Sequence, residues 1–494
     1  MNMKRGSIAD GLEKKINSKN KYPQKYLITA AQASFFESIN PSGEVTLKKW
    51  GGQGNKAQLN EKLYDGLREF QDRNHVDKFE ILPIRGLCNR EDVLHESVQN
   101  LPELIISDRM YERMNSNASI TDIRVPPQNV DPSTSRKHLT AKYGATLVFP
   151  HTKQRLCPVA SSSSDYPRFI ATTGAITSPN YNRANDRGDQ ATRDHRLGAI
   201  FVEVFNKEEF LLHFLTATKD GRFVHMGTQY DGHKKPEKIG TDALVLGDIH
   251  WGEQDSRVIA ANYDQIRTLK PKKLILHDFF TGKSISHWNF DKPLYRAQQF
   301  ANGELFLEEE LRSDFKELVR LSRTMGKNDI YIPHANHHDF LTTYMNSGLY
   351  ARQDLWNTGF CHRLAGRICS NNTSPDMYLK EALSMFGDIP RNVHLLGLDD
   401  KLNVQGYRLS SHGHIGVNGA KNLSIKGMDE SIGKGIIGHK HTPEQFRDSM
   451  VVGTSSRQDL HYKAGSLSAS MACSAAIYSN GKPQLLPIIG SRWK

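Results

Sequence analysis

The second half of the chain carries a set of Asp, Asn and His side chains whose types suit the binding of transition-metal ions. Each follows a short apolar run that is typical of a β-strand, in the segments DALVLGDIH, KKLILHDFF, DIYIPHANHHD, GYRLSSHGH and GIIGHKH. The candidate ligands are Asp248, His250, Asp278, Asn336, His412, His439 and His441. Because strands of a sheet deliver such residues to a common edge, the pattern favours a binding site over packing.

This donor set consists of two carboxylates, one amide oxygen and four imidazoles, without a thiolate. Mixed oxygen and nitrogen ligands suit Mn²⁺, Fe²⁺, Zn²⁺ or Co²⁺, whereas the number of imidazoles disfavours Mg²⁺ and Ca²⁺. One carboxylate can bridge two ions about 3.5–4 Å apart, and a water held between them attacks phosphorus readily. The sequence therefore predicts two divalent transition-metal ions and phosphoester hydrolysis.

Each candidate also has a purely structural interpretation. A single buried His is more often a core residue than a ligand, and an Asp at a strand end often caps the following helix, as Asp339 could cap DFLTTYMNSG. In SSHGHIG either His412 or His414 could be the ligand, and His412 is favoured because it lies nearer the strand. The joint order of five such motifs is what favours a metal site.

In this order of motifs, residues 242–457 resemble the calcineurin-like metallophosphoesterase superfamily, whose pattern is D-x-H, G-D, G-N-H-D/E, H and G-H-x-H. The resemblance implies that Asp278 bridges the two ions and that His337, the family's non-ligand histidine, protonates the leaving oxygen or steadies the transition state. It implies that one ion is held by Asp248, His250 and His441, and the other by Asn336, His412 and His439.

Four positions depart from the family pattern. His277 replaces the glycine before the bridging aspartate, Ala335 replaces the glycine of G-N-H, and Thr281 stands where the family has a final Asp or Asn. His338 follows His337 in place of an acidic residue. None of these changes removes a ligand, but they alter the residues that orient the ligands.

Within the superfamily, the sequence favours the SbcD-type DNA nucleases. The segment TGKSISHWNFDKPLYRAQQF interleaves cations with aromatic rings, as single-strand binders do, although its aromatic residues could equally fill a core. The predicted substrate contacts are Lys283, His287, Trp288 and Arg296. A net charge of +11 favours a polyanionic partner such as DNA. A phosphatase or small-nucleotide phosphodiesterase with the same ions is the alternative.

The whole chain also resembles, more weakly, the early host-DNA-degrading nucleases of some tailed phages. This similarity depends on domain order and on segments such as PRFIATTGAITSPNYN. It implies a cytoplasmic, Mn²⁺-dependent DNase that assembles as a homo-oligomer. In SbcD-type nucleases the phosphoesterase part comes first in the chain, whereas here it comes second. Because of this different domain order, an ATPase partner like that of the SbcD-type nucleases is not evident.

Composition agrees with a folded, multi-domain α/β protein. The chain has 494 residues, of which 37% are hydrophobic and 24% charged, and this balance excludes a wholly disordered chain. No apolar run approaches the roughly 20 residues that a membrane helix needs, and the start lacks the apolar region of a secretory signal. Five cysteines without a C-x-x-C pair indicate neither a disulfide scaffold nor a cysteine zinc site.

The predicted organisation has three parts. Residues 1–24 form a mobile basic arm, residues 25–236 a separate α/β domain for assembly or substrate access, and residues 237–494 an αββα sandwich of two mixed sheets. Apolar spacing predicts helices over residues 57–74 and 304–325. The Arg-rich segment NRANDRGDQATRDHR is predicted to be a solvated loop, with a phosphate-contacting surface as the alternative.

Overall fold

A computed structural model describes residues 22–33, 36–39, 45–47, 57–84, 94–105, 111–162, 166–181, 183, 185–457 and 466–494. The predicted basic arm lies outside the described residues up to position 21. The described chain is a mixed α/β fold, which confirms the predicted fold class.

A six-stranded mixed sheet, called here the central sheet, organises the second half of the chain. Its four parallel strands end at one common edge, and Cys473–Tyr478 pairs antiparallel with Thr241–Leu246. The strand order is Val393–Leu395, Asp329–Ile332, Lys273–Leu276, Thr241–Leu246, Cys473–Tyr478, Pro483–Pro487.

The central sheet is covered by helices on one face and by a second sheet on the other. In Thr241–Leu246, Leu244 and Leu246 pack among the helices, whereas Ala243 and Val245 face the second sheet, as the two-residue period of a strand requires. The α-helices between residues 256 and 383 are Ser256–Leu269, Pro293–Ala301, Leu307–Met325, Asn336–Ser347, Leu349–Arg352, Thr358–Ser370 and Tyr378–Leu383.

The second sheet has ten strands and crosses the predicted domain boundary. Residues 445 and 446 pair with residues 156 and 155, so backbone hydrogen bonds join chain segments from both sides of residue 236. The division of the chain into domains stays a prediction. The strand order is Asn403–Val404, Tyr407–Arg408, Gly435–Ile437, Ser449–Val451, Glu444–Phe446, His151–Val159, Arg168–Gly174, Thr146–Phe149, Ala118–Thr121, Tyr111–Asn115.

Four smaller sheets complete the described part of the fold. The largest has the order Phe210–Thr216, Gly198–Val204, Gln24–Gln32, Lys78–Ile84, and the predicted helix over residues 57–74 packs on it as Glu61–Asn74. The other strands are Phe223–His225 with Thr228–Tyr230 and Glu237–Lys238, Phe36–Ile39 with Val45–Leu47, and Ser161–Ser162 with Leu467–Ser468. The other helices are Glu96–Gln99, Lys137–Tyr143, Asp186–Asp194 and Ile425–Ser431.

The Arg-rich segment is not the solvated loop that its composition predicted, because it contains the helix Asp186–Asp194. The Asn185 side chain accepts a hydrogen bond from Gly188 N at 2.8 Å and caps this helix. Asp194 is buried and lies 3.1 Å from Arg447, so the helix is held against the second sheet by tertiary contacts that local composition does not reveal. Among the helices in the described ranges, none has the length and apolar character needed to cross a membrane.

Candidate metal centre

Strand ends of the two large sheets bring the seven predicted ligands to one place. Two loops of the central sheet lie side by side, since Ile249 N donates to His277 O at 3.1 Å and His250 N to Asp278 O at 2.9 Å. The central sheet supplies Asp248, His250, Asp278 and Asn336, and the second sheet supplies His412, His439 and His441.

Asp248, His250 and His441 form one buried group of donors. His441 Nε2 lies 3.2 Å from Asp248 Oδ2 and 3.0 Å from His250 Nε2. Two ligand atoms that each lie about 2.1 Å from one ion at right angles are about 3.0 Å apart. The spacing of this group therefore fits a single ion.

Asn336, His412 and His439 form the second group. Asn336 Oδ1 lies 3.2 Å from His412 Nε2 and 3.0 Å from His439 Nδ1. His439 Nε2 donates to Asn422 Oδ1, because an amide oxygen only accepts, and the lone pair of His439 Nδ1 then faces Asn336. Asn422 was not found by the sequence analysis, and no recognisable motif contains it.

Asp278 lies between the two groups. Its Oδ2 is 3.4 Å from His412 Nε2 and 3.7 Å from His250 Nε2, and the residue is 1% exposed. The cluster Asp248, Asp278 and His412 also has donor atoms close enough for one ion. The carboxylate is thus within reach of both groups, which is the position that a bridging ligand needs.

The buried carboxylates call for a cation. Among the described residues, neither Asp248 Oδ1 nor Asp278 Oδ1 has a hydrogen-bond partner, and a buried carboxylate oxygen without one is costly. Burial by itself raises the pKa of both carboxyl groups. Nearby imidazoles, chiefly His412 for Asp248 and His337 for Asp278, lower each pKa below its usual value, so both groups are charged. These buried His and Asp clusters could hold metal ions.

Four of the predicted ligands have a left-handed backbone that non-glycine residues rarely adopt. The φ angle is 47° at His250, 44° at Asp278, 70° at His439 and 57° at His441. Such a conformation costs on the order of 1–3 kcal/mol per residue and is retained mainly where function needs it. This backbone strain is shared by four of the seven predicted ligands, and it is invisible in the sequence.

His337 stands at the rim of this centre. Its Nδ1 donates to Thr281 O at 2.5 Å, which directs Nε2 toward Asp278 Oδ2 at 3.8 Å. Its ring centroid lies 4.5 Å from that of His250, and its side chain is 16% exposed. Position 281, where the family pattern has Asp or Asn, therefore orients His337 through its backbone carbonyl.

The four predicted substrate contacts divide into two kinds. Lys283 is paired with Glu253 at 2.5 Å and with Glu304, and Arg296 lies 3.0 Å from the buried Asp354, so both cations are already neutralised within the chain. Their contact with substrate stays a prediction. Trp288 is 65% exposed and does not fill a core, and the ring of His287 lies beside it.

His414, the alternative to His412, lies outside both groups. It is close to His334 and Asp339 instead, with Nε2 3.8 Å from Asp339 Oδ2. Asp339 does not cap the helix as the sequence allowed, because the helix begins at Asn336 and Asp339 Oδ1 lies 2.9 Å from His334 Nε2 instead.

One curated protein is similar to this chain over much of its length. Protein A1 of Escherichia phage T5 is 26% identical over 340 residues, which are 66% of this chain and 60% of the T5 protein. The match thus spans less than two thirds of that protein. No protein-family model matches the chain, and no solved structure matches it significantly. The chain is therefore distantly similar to a phage protein.

Proposed function

We propose that the chain is a metal-dependent DNA nuclease of the calcineurin-like metallophosphoesterase kind, working with two divalent transition-metal ions, Mn²⁺ foremost. The observation that carries the proposal is the position of the Asp278 carboxylate between two groups of donors, of which the first is buried and the second partly buried. Asp248, His250 and His441 would hold one ion, and Asn336, His412 and His439 the other. When bound, the ions would neutralise negative charge on the phosphoryl oxygens of the substrate.

His337 would act as the general acid. Its Nδ1–H is held by Thr281 O, so only Nε2 can exchange a proton with the substrate. The partial exposure of this side chain leaves it accessible from solvent, whereas the ligand His250 beside it is 2% exposed. A protonated Nε2 at the rim could donate to the oxygen that leaves as the phosphodiester breaks.

A row of rings supports a nucleic-acid substrate. From the exposed Trp288, ring contacts continue through His287 at 4.5 Å and Phe340 at 5.3 Å to His337 at 4.6 Å. Rings that lead from the exposed Trp288 and His287 toward the reaction centre suit the stacking of unpaired bases. The net charge of +11 and the similarity to a phage protein agree with action on DNA in a host cytoplasm. The predicted homo-oligomer stays a prediction.

The proposal is tested by His337→Ala in the full chain. Hydrolysis of linear and circular DNA with Mn²⁺ should fall by about 10²–10⁴-fold, while the number of bound ions stays the same. The matched control is His362→Ala, because His362 is exposed and its ring contacts Tyr350, which is not a predicted ligand. Full activity of His337→Ala would remove the acid role, and an inactive parent chain with bound Mn²⁺ would contradict the nuclease proposal.

The same donors could serve a phosphatase or a small-nucleotide phosphodiesterase. Parallel assays on an aryl phosphodiester, an aryl phosphomonoester and DNA separate these activities. Turnover of a monoester with no cleavage of DNA would replace the nuclease proposal with the alternative.

A further inference from the structure

A second cluster of metal-binding side chains lies beside the centre described above. It consists of His334, Asp339 and His414, whose donor atoms all lie within 4.8 Å of one another. His334 precedes the helix Asn336–Ser347, Asp339 lies in its first turn, and His414 comes from the loop that carries His412. None of the three is among the seven predicted ligands of the metal pair.

The hydrogen bonding of His334 leaves a lone pair facing a carboxylate. His334 Nδ1 lies 3.3 Å from Asp376 O, and because a carbonyl only accepts, Nδ1 carries the proton. His334 Nε2 then points at Asp339 Oδ1 at 2.9 Å. Two acceptors at this distance need a cation, which is either a second proton or a metal ion. A ring nitrogen that donates to a carbonyl while the other faces a ligand position is usual for metal-binding histidines.

His414 supplies the independent observation. Its side chain is 10% exposed, and within the described part of the chain neither Nδ1 nor Nε2 has a hydrogen-bond partner. Buried imidazole nitrogens normally have hydrogen-bond partners, so the lack of a partner at both nitrogens of His414 needs a cause. His414 Nε2 faces the other oxygen of the same carboxylate, Asp339 Oδ2, at 3.8 Å. A cation bound by Asp339 would therefore also satisfy His414.

We infer that His334, Asp339 and His414 form a third metal site, which takes a single divalent transition-metal ion. Two imidazoles with one carboxylate suit Zn²⁺, Fe²⁺ or Mn²⁺. The side chain of Asp339 is 50% exposed, so an ion can enter from solvent and keep water in its remaining positions. The ring centroid of His414 lies 5.6 Å from that of His412, so this ion would fasten the loop of His412 to the helix that begins with Asn336.

The test counts Zn²⁺ ions per chain, by elemental analysis after equilibrium dialysis of metal-stripped protein against Zn²⁺. Zn²⁺ is the probe because it binds such ligands more tightly than Mn²⁺ or Fe²⁺. The full chain carrying Asp278→Asn, which disables the proposed pair, should still bind an ion. Adding His414→Ala or Asp339→Asn should remove one ion per chain. Far-UV circular dichroism verifies folding, and Asp339→Asn tests the site without altering a buried residue.

The matched control is His394→Ala, since His394 pairs with Asp329 at 3.3 Å but has no second imidazole in that pair. It should leave the ion count unchanged. The inference is overturned if His414→Ala and Asp339→Asn remove no ion, or if His394→Ala removes as many. Neither result depends on nuclease activity, so the third site and the proposed function can fail separately.

Discussion

Gly438 leaves the space that the Asp248 carboxylate occupies. A Cβ atom at position 438 would lie 2.2 Å from Asp248 Oδ1 and 2.8 Å from His277 Cγ. The glycine of G-H-x-H is thus required because two strand ends, one from each large sheet, approach each other closely here. A larger residue at position 438 would displace the predicted metal ligand Asp248.

Gly438→Ala should weaken metal binding by pushing Asp248 out of place. We expect a loss of about 10- to 100-fold in affinity for Mn²⁺, as for other changes that misorient a ligand, and about 1–3 kcal/mol less stability from overpacking. Isothermal titration with Mn²⁺ and urea unfolding measure the two effects. Gly366→Ala is the control, because Gly366 lies in a helix with no atom within 4 Å of its added Cβ. Unchanged affinity in Gly438→Ala would contradict the assignment of Asp248.

Asp278→Asn should disturb both ions of the proposed pair, whereas loss of a ligand to one ion should disturb mainly that ion. Asparagine keeps the shape but removes the charge that two cations share, so we expect weak DNA cleavage and a lower Mn²⁺ count by elemental analysis. The control is the same exchange at Asp329, which is half-exposed and starts the neighbouring strand at the opposite end of the sheet. If Asp278→Asn binds Mn²⁺ as the parent does, this carboxylate is not a bridge.

Glu80 should make the protein less stable as the pH rises. Burial and the nearby Glu112 raise its pKa to about 7, against 4.5 when unfolded, so the native state favours the neutral acid. The folding stability linked to the neutral form of Glu80 is fully present below pH 4.5 and is lost as the pH rises through 7. Glu80→Gln should therefore stabilise the protein by roughly 3 kcal/mol at pH 8 and by under about 1 kcal/mol at pH 5. Thermal unfolding at both pH values measures this.

Glu69→Gln is the comparison for that experiment, because Glu69 is half-exposed and its ion pair among the described residues is with Arg73 on the same helix. An equal gain for Glu80→Gln at pH 5 and pH 8 would rule out the raised pKa as its cause.

Arg155 should stabilise the junction inside the second sheet. It is 4% exposed and lies 3.3 Å from Asp131 and 2.8 Å from Glu444, which belongs to the paired strand. Arg155→Ala leaves buried carboxylates without this partner and should cost about 3 kcal/mol or more in urea unfolding. Arg193→Ala, which removes an exposed pair on one helix, should cost under about 0.5 kcal/mol. Equal small effects would show that the junction does not depend on Arg155.

Local patterns in the sequence predict much of the candidate site. The apolar runs before Asp248, Asp278 and Asn336 form strands of one sheet, because short β-branched and apolar runs have few other folds. The helix over residues 304–325 is present as Leu307–Met325, with its apolar stripe buried. Prediction was weaker for the segment 182–196, where a helix is stabilised by Asp194 and its distant partners.

The sequence by itself determined which donor atoms this protein has and that they follow strands, since side-chain chemistry and apolar periodicity are local properties. Only the tertiary structure decided that His412 faces Asp278 while His414 faces Asp339, because two histidines one residue apart look alike until the loop is folded. It also decided that strands from residues 111–174 join those from residues 403–451. Strand pairing between segments so far apart in sequence depends on long-range packing, which no local pattern encodes.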